Sequence, residues 1–258
     1  MLVVRSDWHE AVRGLALLAP GGLERWLAAA PSGGSGRAAT ALVALPGSGP
    51  RVVVRRLRHG GWLATLLGDR YASPARVLRE LDVTARLRDA GAPVPEPVLA
   101  VARRRGLGFS LALATVYEEG AVDALGFLAS EPEDERLQRA AAAVGGALRR
   151  FHDAGGRHPD LHVKNLLLRE TRAGAEAIVI DLDRGRAGAP PGSAERAAEI
   201  GRLGRSLLKR RVSERVGDRG AAAFLAAYCA GDRTLRDALM RRFPAERRKA
   251  RLHALLYR

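Results

Sequence analysis

His158-Pro159-Asp160-Leu161-His162-Val163-Lys164-Asn165 is the stretch whose reading decides the fold. It sets a carboxylate and a carboxamide five residues apart on one short turn. Ahead of it, Glu133 to His152 places Leu137, Ala141, Val144, Leu148 and Phe151 on one face, which predicts a long amphipathic helix. Behind it, Leu166-Leu167-Leu168 and Ala177 to Leu182 are short apolar runs that predict strands, and the second run carries Asp181. A carboxylate at the end of a buried strand is well placed to hold a hard divalent cation. An isolated His-x-Asp is common in surface turns, and Asp153 or Asp160 alone could cap a helix or turn. The ordered series of apolar helix, polar turn, strand and carboxylate is much harder to obtain by chance.

Working outward, the first half is richer in strand signals. Ser32-Gly33-Gly34-Ser35-Gly36-Arg37 is a glycine-rich turn. Ala39 to Leu45 and Arg51 to Leu57, joined by Pro46-Gly47-Ser48-Gly49-Pro50, predict a β-hairpin. Ser73-Pro74 opens a helix with serine at the N-cap and proline at the first helical position. That helix runs through Val77, Leu81, Thr84 and Leu87 to Gly91, and Ala92 to Pro97 reads as an extended proline-rich connector. Phe109 to Tyr117 predicts a further strand, and Ala194 onward is helical, with Ile200, Leu203, Leu207 and Leu208 at core spacing. No internal repeat is visible. The expectation is a two-lobed α+β protein, with residues 1–120 as a strand-rich N-lobe and 121–258 as a helical C-lobe, together one domain.

Composition sets the boundaries. A chain of 258 residues, 47% hydrophobic and 28% charged, can bury a sizeable core. Its net charge of +15 suits polyanionic partners such as nucleotide phosphates, nucleic acid or an anionic membrane face. The charge is spread through runs such as Arg103-Arg104-Arg105 and Lys209-Arg210-Arg211, each of which also reads as ordinary solvated surface. The single cysteine, Cys229, rules out an intrachain disulfide, and its alanine-rich neighbours place it in a buried helix. Met1 to Glu10 has no signal-peptide core, and no run of about 18 apolar residues is present. The expected setting is therefore cytoplasmic, with the option of adhering to a membrane surface. Aromatic content of 5% without a recognition motif argues against a nucleic-acid-binding protein.

The spacing of His158, Asp160 and Asn165 resembles the H-x-D-x-x-x-x-N catalytic loop of kinase-like proteins. In that scheme the aspartate orients the attacking hydroxyl, and the asparagine carbonyl and a later aspartate, here Asp181, hold magnesium. A basic residue on the third strand then contacts phosphates and pairs with a helix carboxylate. Arg55 stands where lysine is usual, and Glu80 is its natural partner. Arg56 and Arg58 are alternatives, and strand alternation turns Arg55 inward if Val53 faces the core. Gly33-Gly34-Ser35-Gly36-Arg37 offers backbone amides to cover phosphates, a weak signal by itself.

With these come Val54-Arg55-Arg56-Leu57-Arg58-His59-Gly60-Gly61, Gly68-Asp69-Arg70-Tyr71 and Gly91-Ala92-Pro93-Val94-Pro95. Ile180-Asp181-Leu182-Asp183-Arg184-Gly185 and Arg202-Leu203-Gly204-Arg205-Ser206-Leu207-Leu208-Lys209 complete the set. Together these segments resemble the lipopolysaccharide kinase family, most nearly its 3-deoxy-D-manno-octulosonic acid (Kdo) kinase branch, over residues 36 to 209. The resemblance implies a protein-kinase-like fold and ATP-dependent, Mg2+-assisted phosphorylation of a Kdo hydroxyl linked to lipid A. It places the protein peripherally at the cytoplasmic face of the inner membrane, with that anionic surface as a partner. It implies Asp160 as the catalytic base, Asn165 and Asp181 as magnesium ligands, and Gly36, Arg37, Arg55 and Glu80 around the nucleotide. Arg58, Arg184 and Arg205 become candidate acceptor contacts.

Departures narrow the substrate class. Pro159 stands where many protein kinases carry arginine, His162 where Ser/Thr kinases carry lysine, and no Ala-Pro-Glu follows Asp181. These point away from a protein acceptor. The alternatives are an atypical protein kinase of the tRNA-modification-associated type and a small-molecule phosphotransferase for aminoglycosides or choline. A catalytically dead binding module is disfavoured because Asp160, Asn165 and Asp181 are all present.

Overall fold

A computed structural model describes residues 1–13, 40–45, 49–58 and 70–241, with isolated positions 19, 21, 22 and 25. The chain divides into two units, residues 1–85 with 95–118, and residues 86–94 with 119–258.

In the first unit the elements are β1 (Leu2–Val4), α1 (His9–Arg13), β2 (Thr40–Ala44), β3 (Arg51–Arg56), α2 (Ala75–Asp89), β4 (Pro97–Arg105) and β5 (Gly108–Val116). The last turn of α2 belongs to the second unit. The strands form one antiparallel sheet in the order β1-β4-β5-β3-β2. Alternation along β3 sends Val52 and Val54 into a cluster with Ala41, Leu99, Val101 and Val12. Leu57, Leu111 and Leu113 pack with Val77 and Leu81 of α2 in a second cluster. Val53 and Arg55 alternate with Val52 and Val54, and Arg55 lies opposite Leu113 in the register.

Strand β4 is absent from the sequence reading, which has a connector ending at Pro97. Val98, Leu99, Ala100, Val101 and Ala102 are all fully buried, so the run shows no polar alternation. Pro97 occupies the first position of the strand, where a missing N–H is tolerated, and the register shifts between it and Leu99. Trp8 helps seat the N-terminal segment, its Nε1 donating to Glu96 Oε1 at 3.0 Å.

The second unit continues with β6 (Val122–Asp123), α3 (Ala124–Ala129), α4 (Asp134–Asp153), β7 (Gly156–Arg157), β8 (Leu166–Thr171), β9 (Gly174–Val179), β10 (Arg186–Ala187), α5 (Ser193–Lys209) and α6 (Ser213–Cys229). Strands β6-β8-β9 form one small sheet and β10-β7 another. The helix predicted over 133–152 is α4, burying Leu137, Ala140, Val144, Ala147, Leu148 and Phe151. It packs against α6 at Gly145, where a Cβ would stand 2.4 Å from Phe224 O. Beside that contact lies an apolar pocket of about 240 Å³, bordered by Phe127, Leu128, Val144, Leu203 and Phe224. Cys229 is buried at the end of α6, and burial raises its thiol pKa.

Candidate active site

The turn from His158 to Asn165 is held by its apolar residues. Leu161, Val163 and Leu166 are almost wholly buried, whereas Asp160 among them is exposed. Leu161 N–H closes a turn on His158 O at 3.1 Å, and a short 3-10 helix over Val163–Asn165 delivers the chain into β8. This alternation anchors the backbone while leaving the carboxylate in solvent.

Asn165 ties three parts of the site together. Its Nδ2 donates to Asp160 O at 3.1 Å, and its backbone O accepts Ile180 N–H at 2.9 Å. It is 5% exposed, and with Nδ2 engaged, the carbonyl oxygen Oδ1 is the atom available as a ligand. Ile180 immediately precedes Asp181, whose φ of 64° lies in the left-handed region. Aspartate tolerates that conformation better than most residues, and such local strain concentrates at functional sites. A turn from Gly185 N–H to Leu182 O at 2.8 Å follows.

His158 provides a second tie. It is 1% exposed, and its Nε2 donates to Ile180 O at 3.1 Å. Burial lowers its pKa, opposed by that hydrogen bond and by the charges of Asp181, Glu199 and Asp160, so the imidazole is neutral near pH 7. Asp160, Asn165 and Asp181 are thus brought to one corner by bonds from Asn165 and His158. Asp153, the other carboxylate near the turn, is engaged elsewhere, bonded by Arg149 Nε at 2.6 Å and Arg196 NH1 at 2.7 Å.

Two residues of α5 to which the sequence reading gave no role also touch this turn. Glu199 Oε2 accepts His158 N–H at 2.9 Å, and Ser206 Oγ accepts Val163 N–H at 3.0 Å. Ser206 lies inside the Arg-Leu-Gly-Arg-Ser segment, which was the available signal. Glu199 stands one heptad earlier on the same helix, with no motif to mark it.

In the first unit, Arg55 on β3 forms an ion pair and hydrogen bond with Glu80 of α2. Glu80 is 2% exposed, so its charge is compensated by a partner as burial requires. Arg58 and Arg184 are exposed, and Arg205 is half-buried, its pKa lowered by burial and by Arg202. Gly36 and Arg37, with Gly60 and Gly61, lie outside the described residues.

Among the described residues no cluster of three or more His, Cys, Asp or Glu could enclose a metal by itself. An Asn165 carbonyl and an Asp181 carboxylate are instead hard oxygen donors of the kind that could hold Mg2+.

The profile of the lipopolysaccharide kinase (Kdo/WaaP) family matches residues 36–228. A "3-deoxy-D-manno-octulosonic acid kinase" of Xanthomonas oryzae pv. oryzae (strain PXO99A) is 34% identical over 168 residues. That match covers 62% of this chain and spans 63% of the relative's length. A protein of the same name from Vibrio vulnificus (strain YJ016) is 29% identical over 231 residues, 86% of this chain and 92% of the relative. Among solved structures, "WaaP in complex with acyl carrier protein" superposes with a TM-score of 0.62 at 22% identity, covering 100% of both chains. The α+β, protein-kinase-like fold is shared with that structure. With the profile matched across most of its length, and with the catalytic turn and Asp181 inside the match, the chain belongs to the lipopolysaccharide kinase (Kdo/WaaP) family.

Proposed function

We propose that this protein transfers the terminal phosphate of ATP to a Kdo hydroxyl of a lipid A-linked acceptor. The observation that carries this reading is the joining of Asp160, Asn165 and the Asp181 strand end through Asn165 and His158. The name of these relatives, 3-deoxy-D-manno-octulosonic acid kinase, supplies the acceptor class.

Asp160 is the carboxylate that orients the acceptor hydroxyl and takes its proton as the new P–O bond to the γ-phosphorus forms, the bond from that phosphorus to the β-phosphate oxygen breaks, and ADP leaves. Asn165 Oδ1 and the Asp181 carboxylate would hold Mg2+, which when bound would neutralise charge on the phosphates. Arg55, oriented by Glu80, contacts the phosphates, and backbone amides near Gly36 and Arg37 cover them. Arg58, Arg184 and Arg205 are the cations offered to the anionic sugar.

The acceptor sits in a membrane, and we place the protein peripherally on its anionic, cytoplasmic face. No helix among the described residues is long and apolar enough to cross a membrane. The β4–β5 hairpin supports surface docking, because Arg103, Arg104 and Arg105 adjoin a wholly exposed Leu107 at its tip. No Asp or Glu lies between Glu96 and Glu118, and basic side chains near an anionic leaflet contribute about 1 kcal/mol each.

The apolar pocket supports one further reading. The structural neighbour was captured with acyl carrier protein, and a pocket bordered by Phe127, Val144 and Phe224 suits a fatty-acyl chain. Native mass spectrometry of the purified protein should then show a bound acyl species; mass equal to the bare chain contradicts it.

The acceptor assignment is tested by phosphate transfer from labelled ATP to Kdo-lipid A, a generic protein and an aminoglycoside in parallel. Labelled Kdo-lipid A is the expected product. Label confined to protein or aminoglycoside would overturn the acceptor while leaving the catalytic residues in place.

A further inference from the structure

Helix α5 meets the catalytic turn at two points, one on each side of Asp160. Glu199 Oε2 receives the N–H of His158, two residues before Asp160, at 2.9 Å. Ser206 Oγ receives the N–H of Val163, three residues after it, at 3.0 Å. Glu199 and Ser206 are seven residues apart, two helical turns, so they share a face with an axial separation of about 10 Å. The five-residue step from 158 to 163 would reach about 17 Å if extended. The chain therefore bows between its anchors, consistent with the turn from Leu161 N–H to His158 O. Asp160 is on the bow.

Each anchor is itself held. Ser206 donates its hydroxyl proton to Leu203 O at 2.8 Å, which leaves the oxygen lone pairs for Val163. Glu199 is 4% exposed, and His152 Nε2 lies 3.1 Å from the same oxygen that serves His158. Arg202 stands 3.7 Å from the other oxygen. Burial works against the charged carboxylate, but the bonds from His152 and His158, with Arg202, hold its pKa below the ordinary value. An acceptor-only carboxylate requires the proton on His152 Nε2, and His152 Nδ1 lies 2.7 Å from the Tyr228 hydroxyl. Burial raises the Tyr228 pKa, which keeps that hydroxyl protonated. The chain of bonds from α6 through α4 to α5 ends on the backbone of the catalytic turn.

We propose that Glu199 and Ser206 are paired positioning residues that fix the curvature of the catalytic turn and thereby the placement of the Asp160 carboxylate. The proposal rests on Asp160 as the hydroxyl-orienting group, and it gives a role to the serine of the Arg-Leu-Gly-Arg-Ser segment.

The test is steady-state kinetics of full-length Ser206→Ala, Ser206→Thr and Glu199→Gln beside Asp160→Ala, with ATP and Kdo-lipid A. Melting temperatures are recorded so that all rates are taken on folded protein. Ser206→Ala is expected to lower kcat about tenfold with KM for ATP within about twofold, because the displaced group orients the acceptor and not the nucleotide. Ser206→Thr, which keeps the oxygen, should recover kcat to within about threefold of wild type. Glu199→Gln keeps an acceptor for His158 and should fall between them. Wild-type kcat in Ser206→Ala, with Asp160→Ala inactive, would overturn the positioning role and leave the catalytic assignment intact. Equal losses in Ser206→Ala and Ser206→Thr would also overturn it, since the hydrogen bond would then not be the cause. Full activity in Asp160→Ala would remove the assignment on which the proposal stands.

Discussion

The two units hold their functional side chains in opposite ways. In the strand-rich unit, Arg55 is oriented by an ion pair with Glu80, a residue 25 positions away on α2. In the helical unit, Asp160 sits on a turn fixed by backbone and side-chain bonds from Asn165, His158, Glu199 and Ser206. In the first a side chain from a distant element pairs with Arg55; in the second several hydrogen bonds meet on one short turn. The contrast between an ion pair on a sheet and a multiply bonded turn is open to experiment.

The largest expected effect on the strand-rich side is on activity. Arg55→Ala should lower kcat/KM for ATP by about 10²-fold, the usual scale for removing one preorganised donor from a developing charge. Glu80→Gln should lower activity as well, since it removes the ion pair between Glu80 and Arg55. Equal kcat/KM in wild type and Arg55→Ala would move the phosphate contact to Arg56 or Arg58.

On the helical side the corresponding sensitivity is to packing. Gly145→Ala forces a methyl against Phe224 O, and overpacking of this kind costs about 1–3 kcal/mol. A melting temperature lowered by about 5 °C is expected, with KM for ATP unchanged. An unshifted melting temperature would show that α4 and α6 separate freely there.

The smallest expected effect is the pH dependence of His158. Its folded pKa lies below the unfolded value of about 6.5, so the unfolded chain binds the extra proton first. The stability contribution is complete above about pH 6.5 and is lost as pH falls from there toward the lowered folded value. Urea midpoints between pH 7.5 and 5.5 should decline, and His158→Gln should decline less steeply. Parallel declines would assign the slope to other groups.

The same contrast explains what could be read from the sequence. His158, Asp160 and Asn165 lie within eight residues, and a fixed spacing on one turn is visible in a linear string. The long helix before them and the hairpin of β2 and β3 were legible because their apolar positions follow regular periods. Strand β4 was not, because burial on both faces erased its alternation, and Pro97 read as a connector and not as a strand start. The pairing of Arg55 with Glu80 was reached through the kinase resemblance, since nothing in spacing alone joins residues so far apart. The roles of Glu199 and Ser206 were missed because the bonds that reach the turn go to backbone amides, which residue type does not mark, although Ser206 lies in a recognisable segment. Gly36 and Arg37 lie outside the described residues, and their part in the site remains a proposal.

The central claim is that Asp160 orients the acceptor hydroxyl for phosphate transfer. Its most direct test is single-turnover transfer from labelled ATP to Kdo-lipid A by Asp160→Ala, with nucleotide binding measured on the same protein. The account predicts a rate lowered by about 10²–10⁴-fold with nucleotide affinity within a few-fold of wild type. A rate indistinguishable from wild type on folded, nucleotide-binding protein would contradict it.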